Sequence, residues 1–123
     1  MNPADLKLYD LAVSVAERAY APYSKFLVGA AVRARDGRVF DGVNVENAAY
    51  PLGVCAEKSA IVKAVSEGCR PGDLEAIGIT ASPCGGCRQW LVEFRLERVV
   101  YLDNEGAVVS ATPSELLPDT FVL

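Results

Sequence analysis

LEAIGITASPCGGCRQWLVEF, Leu74 to Phe94, is the stretch on which the reading of this chain turns. The apolar run from Ala76 to Thr80 predicts a short buried strand, and Gly85 to Phe94 has the pattern of a helix. Between them lie Cys84 and Cys87 in a Cys-x-x-Cys pair, preceded by Pro83. A thiol pair at a helix start is either a redox dithiol or half of a metal site. The rest of the chain has to decide which.

N-terminal to this stretch, Leu8, Leu11, Ala12, Val15, Ala16 and Ala19 recur at helical spacing, which predicts a helix from Asp5 to Tyr20, stopped by Pro22. Leu27 to Ala34 and Val39 to Val45 are β-prone runs flanking RDGR, and an Asp-Gly pair so placed predicts a hairpin. Cys55 to Ser66 reads as a buried helix, ended by Gly68 and Pro71. Beyond Phe94 come the strand RVVYLD, the turn NEG, a strand around Val108 and Val109, and a short closing helix over Thr112 to Leu117. The order helix, hairpin, helix, strand, helix, hairpin, helix predicts an α/β fold with a five-strand sheet sandwiched by helices. There is no internal repeat, linker or low-complexity tract.

A chain of 123 residues with 51% hydrophobic content fits one domain, residues 1–123, with a core large enough to need no disulfides. No apolar run approaches the roughly 18 to 20 residues that cross a bilayer, and the start MNPADLKLYD lacks a basic-then-apolar signal pattern. A soluble, cytoplasmic protein with no membrane partner is expected. Twelve Lys and Arg against sixteen Asp and Glu give a net charge of −4 with no basic block. That balance argues against nucleic acid as a partner, because binding a phosphate backbone needs clustered positive charge. The absence of histidine rules out Ser-His-Asp and Cys-His hydrolases and any imidazole metal site.

Cys55 and the pair Cys84 and Cys87 fall near the starts of two different predicted helices, where unpaired N–H groups and the positive dipole end favour thiolates. Three thiolates and a solvent oxygen make a complete ligand set for a catalytic zinc. Three negative ligands also blunt the metal's power to acidify water, so nearby cations are needed, and Lys58 and Arg88 are the candidates to support the sulfurs. Glu57, one residue beyond Cys55, is placed to move protons between water and a substrate nitrogen. Cys-Ala-Glu followed downstream by Pro-Cys-Gly-Gly-Cys is the cysteine form of the zinc deaminase signature.

Four segments in order, YSKFLVGAAV (Tyr23 to Val32), GVNVENAAYPLGVCAEKSA (Gly42 to Ala60), SPCGGCRQWLVEF (Ser82 to Phe94) and ELLPDTF (Glu115 to Phe121), carry a wider resemblance. The chain resembles the small, three-cysteine, homotetrameric cytidine deaminases along nearly all its length. The resemblance implies a three-layer α/β/α sandwich with a five-strand mixed sheet. It also implies one zinc per chain on Cys55, Cys84 and Cys87, Glu57 as proton shuttle, and deamination of cytidine and 2′-deoxycytidine to uridine and 2′-deoxyuridine with release of ammonia. It further implies Asn44 and Glu46 on the ribose 3′-hydroxyl, Phe26 against the base, the Ala56 N–H on the base's O2, and Tyr50 and Phe121 reaching a neighbouring subunit's site in a homotetramer.

Other readings stand beside this one. A related aminohydrolase would act on another aminopyrimidine such as blasticidin S, although that antibiotic has no ordinary ribose for Asn44 and Glu46. A thiol–disulfide protein would use Cys84 and Cys87 but leave Cys55 and Glu57 without a task. A non-catalytic zinc module would need Cys69 as fourth ligand, yet a predicted helix separates it from Cys55 by about 20 Å. The chain also departs from its resemblance. Lys58 stands where arginine is usual, Leu27 and Pro51 are uncommon, and the approaches to Ser82 and to RVVYL are short.

Overall fold

The computed structural model describes all 123 residues. Five strands form one sheet in the order β2-β1-β3-β4-β5: β1 (Gly29–Ala34), β2 (Val39–Val43), β3 (Leu74–Ile79), β4 (Arg98–Leu102) and β5 (Val108–Ala111). Only β3 and β4 run parallel, with Ile77 opposite Val99; the other neighbours are antiparallel, so the sheet is mixed. Four helices complete the chain: α1 (Pro3–Ala16), α2 (Ala56–Ser66), α3 (Gly85–Glu93) and α4 (Pro113–Leu116).

Strand alternation sends successive side chains of β1 to opposite faces. Ala31 joins Ala76, Leu8 and Ala12 in a small cluster beneath α1. Ala30 and Val32 join Ile77, Ile79 and Val99 in the main core, which α2 fills with Ala60, Ile61 and Ala64 and α3 with Leu91. Three layers result, with α1 alone on one face and α2 and α3 on the other. Small residues set how closely the layers approach. A Cβ on Gly29 would stand 2.1 Å from the Ala12 carbonyl oxygen, and one on Gly42 would stand 2.4 Å from the Ala60 nitrogen. Glycine at position 42 therefore lets α2, and with it Cys55, lie close on the sheet.

The expected elements are all present, and their ends differ for local reasons. Helix α1 starts earlier than expected because the Asn2 side chain accepts from the Ala4 N–H, at 2.8 Å, with Pro3 at the first helical position. It stops at Ala16 because Tyr20 is drawn beside Val45: Tyr20 donates to the Asn44 carbonyl at 3.0 Å and accepts from the Glu46 N–H at 2.8 Å. Val45 leaves β2 for the same contact and also pairs with Val54, so β2 ends at Val43. Leu27 and Val28 precede β1 as a loop held by side chains of the next strand's end. A single 3-10 turn at Tyr50–Leu52 has no counterpart in the sequence reading.

Candidate active site

The one parallel pair of the sheet has its crossover through α3, and the chain leaving the carboxyl end of β3 runs through Ser82 and Pro83 into the thiols. Such strand ends are where open α/β sheets place ligand sites. Cys55 is the N-cap of α2 and Cys84 the N-cap of α3; neither uses its side chain to cap. Both sulfurs are therefore left free at helix starts. Cys87, one turn into α3, is buried, and the three Sγ atoms lie within 4.8 Å of one another, with Cys55 and Cys84 3.9 Å apart. Cys69 lies instead in the main core, with its sulfur 3.6 Å from an Arg38 nitrogen, so it is not a fourth ligand.

Clustered thiols cannot all ionise unaided. The Cys55 thiol is brought down to about 6 by a hydrogen bond from Cys87, by another from Cys84 and by the Lys58 charge. Cys87 is pushed far up by that same bond to Cys55, by burial and by the Glu57 charge. The Cys55 thiolate thus forms at the expense of Cys87. A soft divalent cation relieves the conflict, and a set of three sulfurs at this spacing suits zinc.

Glu57, the second residue of α2, is 3% exposed and has no cationic partner. Burial is the largest influence on it and, with the Cys55 charge, raises its carboxyl above the usual range against the lowering effect of its own N–H. It lines a cavity of about 260 Å³ together with Ser24, Phe26, Val28, Asn44, Glu46, Cys55, Ala56, Ala81, Ser82 and Cys84. Cavity and sulfurs meet at one place. A redox dithiol would need neither the third sulfur nor the buried carboxylate.

The opposite wall is polar but already bonded. The Asn44 Oδ1 accepts from the Val28 N–H at 2.8 Å while its Nδ2 donates to the Phe26 carbonyl at 2.9 Å. The Glu46 Oε1 accepts from the Tyr23 and Ser24 N–H groups at 3.0 and 3.1 Å, and its Oε2 accepts from the Ser24 hydroxyl. Ser24 in turn accepts from the Phe26 N–H at 3.0 Å, and Lys25 between them has φ 62°, a left-handed conformation unfavourable for a lysine. The two side chains therefore hold the Tyr23–Val28 loop, and through it Phe26, over the cavity. A second amide hydrogen on Asn44 and spare lone pairs on Glu46 Oε2 remain for a ligand. Ser24, Val28, Ala81 and Ser82 line the cavity without having been expected there, although all but Ala81 fall within the YSKFLVGAAV and SPCGGC segments.

Besides buried Cys87, four expected residues lie outside this cavity. Tyr50, 77% exposed, lines a neighbouring depression with Tyr23 and Glu46, and Phe121, 73% exposed, lies on the surface of α3. The Lys58 Nζ sits over the Trp90 ring, 6.0 Å from its centroid, and 3.8 Å from where a Cβ on Gly86 would stand. It offers its charge to the cluster without a hydrogen bond. Arg88 does not donate to a sulfur: its guanidinium goes to the Pro83 and Leu116 carbonyls, each at 2.8 Å, and to the Ser82 hydroxyl at 3.2 Å. It braces the loop that carries Cys84.

The comparisons agree with this geometry. Residues 3–103 match the sequence pattern of the cytidine and deoxycytidylate deaminase zinc-binding region. A cytidine deaminase of Halalkalibacterium halodurans is 47% identical over 118 residues, 89% of this chain and 88% of its own, and one of Sporosarcina psychrophila is 46% identical over 113 residues, 85% and 82% of the two chains. The crystal structure of the cytidine deaminase of Burkholderia pseudomallei superposes with a TM-score of 0.88 at 42% identity, covering 98% of this chain and 100% of its own. Matched by that pattern over residues 3–103, and similar to these cytidine deaminases over most of its length, the chain belongs to the cytidine deaminase family.

Proposed function

We propose that this protein is a zinc-dependent aminohydrolase that converts cytidine and 2′-deoxycytidine to uridine and 2′-deoxyuridine: one water is consumed and one ammonia released. The observation that carries this reading is a cluster of three thiols, two of which line a single cavity together with one buried carboxylate. Cys55, Cys84 and Cys87 would hold one zinc, whose chemistry there is to make a water nucleophilic at neutral pH. Glu57 takes the proton that the attacking water loses at C4 and gives it to N3 of the pyrimidine, then helps protonate the departing amine. Its burial supports that task, because a carboxyl that binds protons more readily is a better carrier near neutral pH.

Ala56, the first residue of α2, lines the cavity, and its N–H, unpaired within the helix, would suit the base's O2. Phe26, held by the Ser24 and Asn44 bonds, packs against the base. Asn44 and Glu46 offer their remaining hydrogen-bonding capacity to the ribose 3′-hydroxyl, which favours a nucleoside over blasticidin S. Tyr50 and Phe121 would complete a neighbour's site in a homotetramer of single-domain chains. Their exposure supports this, as does the apolar groove between α2 and α3 lined by Val62, Val65, Trp90 and Phe94. No helix is long and apolar enough to cross a membrane, and the chain's acidity suits a cytoplasmic enzyme acting on small substrates.

The test is a substrate panel on the zinc-loaded protein, following the ultraviolet change on deamination of cytidine, 2′-deoxycytidine and blasticidin S. Turnover of both nucleosides is expected. Inactivity on the nucleosides with turnover of blasticidin S would reassign the substrate, and inactivity on all three would end the reading.

A further inference from the structure

We infer that Arg88 is a positioning residue through which α4 holds the loop carrying Cys84, and that this brace sets how long the three thiolates retain their metal. The inference rests on the zinc reading above and concerns a different link of the chain. Arg88 follows Cys87 directly, and its backbone N–H closes the first turn of α3 on the Cys84 carbonyl at 3.0 Å. Its guanidinium is one rigid plane with donors in fixed directions. That plane spans the Pro83 carbonyl and Ser82 hydroxyl on one side and the Leu116 carbonyl, at the end of α4, on the other.

Cys84 needs such support more than the other two ligands do. It is the exposed member of the three, and its side chain makes no cap bond. The next two residues are Gly85 and Gly86; a Cβ on Gly85 would meet nothing within 4 Å, and one on Gly86 would meet only the Lys58 Nζ. Neither glycine is demanded by crowding, so the stretch after Cys84 is left with little packing to fix it. The anchor at the other end is firm. Leu116 packs against the main core, and α4 is closed by a capping box in which Thr112 accepts from the Glu115 N–H at 3.2 Å and Glu115 accepts from the Thr112 N–H at 2.9 Å. The residue after Arg88 repeats the pattern, since Gln89 donates to the Phe121 carbonyl at 3.2 Å. Two successive α3 side chains thus fasten the segment after β5 alongside the metal-binding turn.

Loosening α4 at the exposed Glu115 should therefore be felt at the metal, through the Arg88 bond to Leu116. Zinc release from the loaded protein to 4-(2-pyridylazo)resorcinol measures this without reference to activity, with urea midpoints taken on each variant to separate local from global loosening. Arg88→Gln should speed release about 10- to 100-fold, the usual range for groups that orient metal ligands. Arg88→Lys should also speed it, because a single ammonium cannot meet three partners in two segments. Glu115→Ala should speed release to a lesser extent, and that increment should vanish in the Arg88→Gln background. Wild-type release in Arg88→Lys, or a Glu115→Ala increment that persists in the double variant, overturns the brace. Wild-type protein that takes up no zinc overturns the zinc reading instead, and the brace with it.

Discussion

Two buried carboxylates on opposite faces of the sheet behave in opposite ways. Beneath α1, Asp5 is 1% exposed and is gripped by Arg98 at 2.6 Å and Arg33 at 2.8 Å, which share Glu75 at 3.0 and 2.7 Å. Burial pushes Asp5 upward, but the hydrogen bonds and charges of Arg98 and Arg33 outweigh it and hold the carboxyl below its usual range. Beneath α2, Glu57 is equally enclosed, lacks a cation to pair with, and is raised. The first cluster completes itself, joining the start of α1 to β1, β3 and β4. The second gathers three thiols, a carboxylate with no ion pair, and a cavity beside them. The contrast separates a polar group that holds the fold from one set beside a cluster of metal-binding thiols and a cavity.

Breaking each cluster should therefore damage a different property. Glu57→Gln should retain zinc and wild-type urea stability while kcat for cytidine falls by about 10²- to 10⁴-fold, the span usual for a lost proton-transfer group. A variant that loses its zinc instead would make Glu57 structural. Asp5→Asn should cost about 1.5–3 kcal/mol of stability, because the partly exposed Arg33 and Arg98 guanidiniums lose the Asp5 charge but keep Glu75, with turnover per folded molecule unchanged. Asp5 has a folded-state pKa below its unfolded value of about 3.9, so its contribution is fully present above that pH and is lost as pH falls through the folded value. In urea titrations the gap between wild type and Asp5→Asn should be constant near neutrality and close below about pH 4; a gap that widens in acid would refute the account.

Smaller effects sharpen the same contrast. Glu46→Gln removes the charge that holds the Tyr23 and Ser24 N–H groups and offers an N–H donor where an acceptor is needed. Its KM for cytidine should rise about 10-fold or more, with kcat less affected, as the Tyr23–Val28 loop and Phe26 loosen. An unchanged KM would take Glu46 out of the binding wall. Lys58→Arg keeps the charge beside Gly86 and Trp90 and should leave turnover equal or better. A large loss in steady-state kinetics would mean that lysine does more than compensate charge.

The sequence revealed the thiol cluster more fully than its surroundings. Cys55, Cys84, Cys87 and Glu57 were legible because their chemistry is confined to few residue types and their spacing placed them at two helix starts. The five strands were legible because each is a short apolar run bounded by turns. Helix α1's end at Ala16 was not, since it depends on Tyr20 pairing with Val45, a contact between distant segments that no local pattern records. The partners of Arg88 were not legible for a related reason: beside Cys87 in sequence, it suits a thiolate donor, whereas its reach to Leu116 depends on where α4 packs. The Asp5 cluster was missed entirely, because its four members come from four elements and none is unusual alone.

The role of the thiol cluster as a metal site is tested most directly by counting zinc while following cytidine as metal is withdrawn and returned. One zinc per chain is expected, with deamination falling in proportion as a chelator removes it and returning on reloading, while the far-ultraviolet circular dichroism of the sheet and helices stays essentially constant. Full-rate deamination by metal-free protein, or a zinc-free protein whose Cys84 and Cys87 cycle reversibly as a dithiol, would contradict the account.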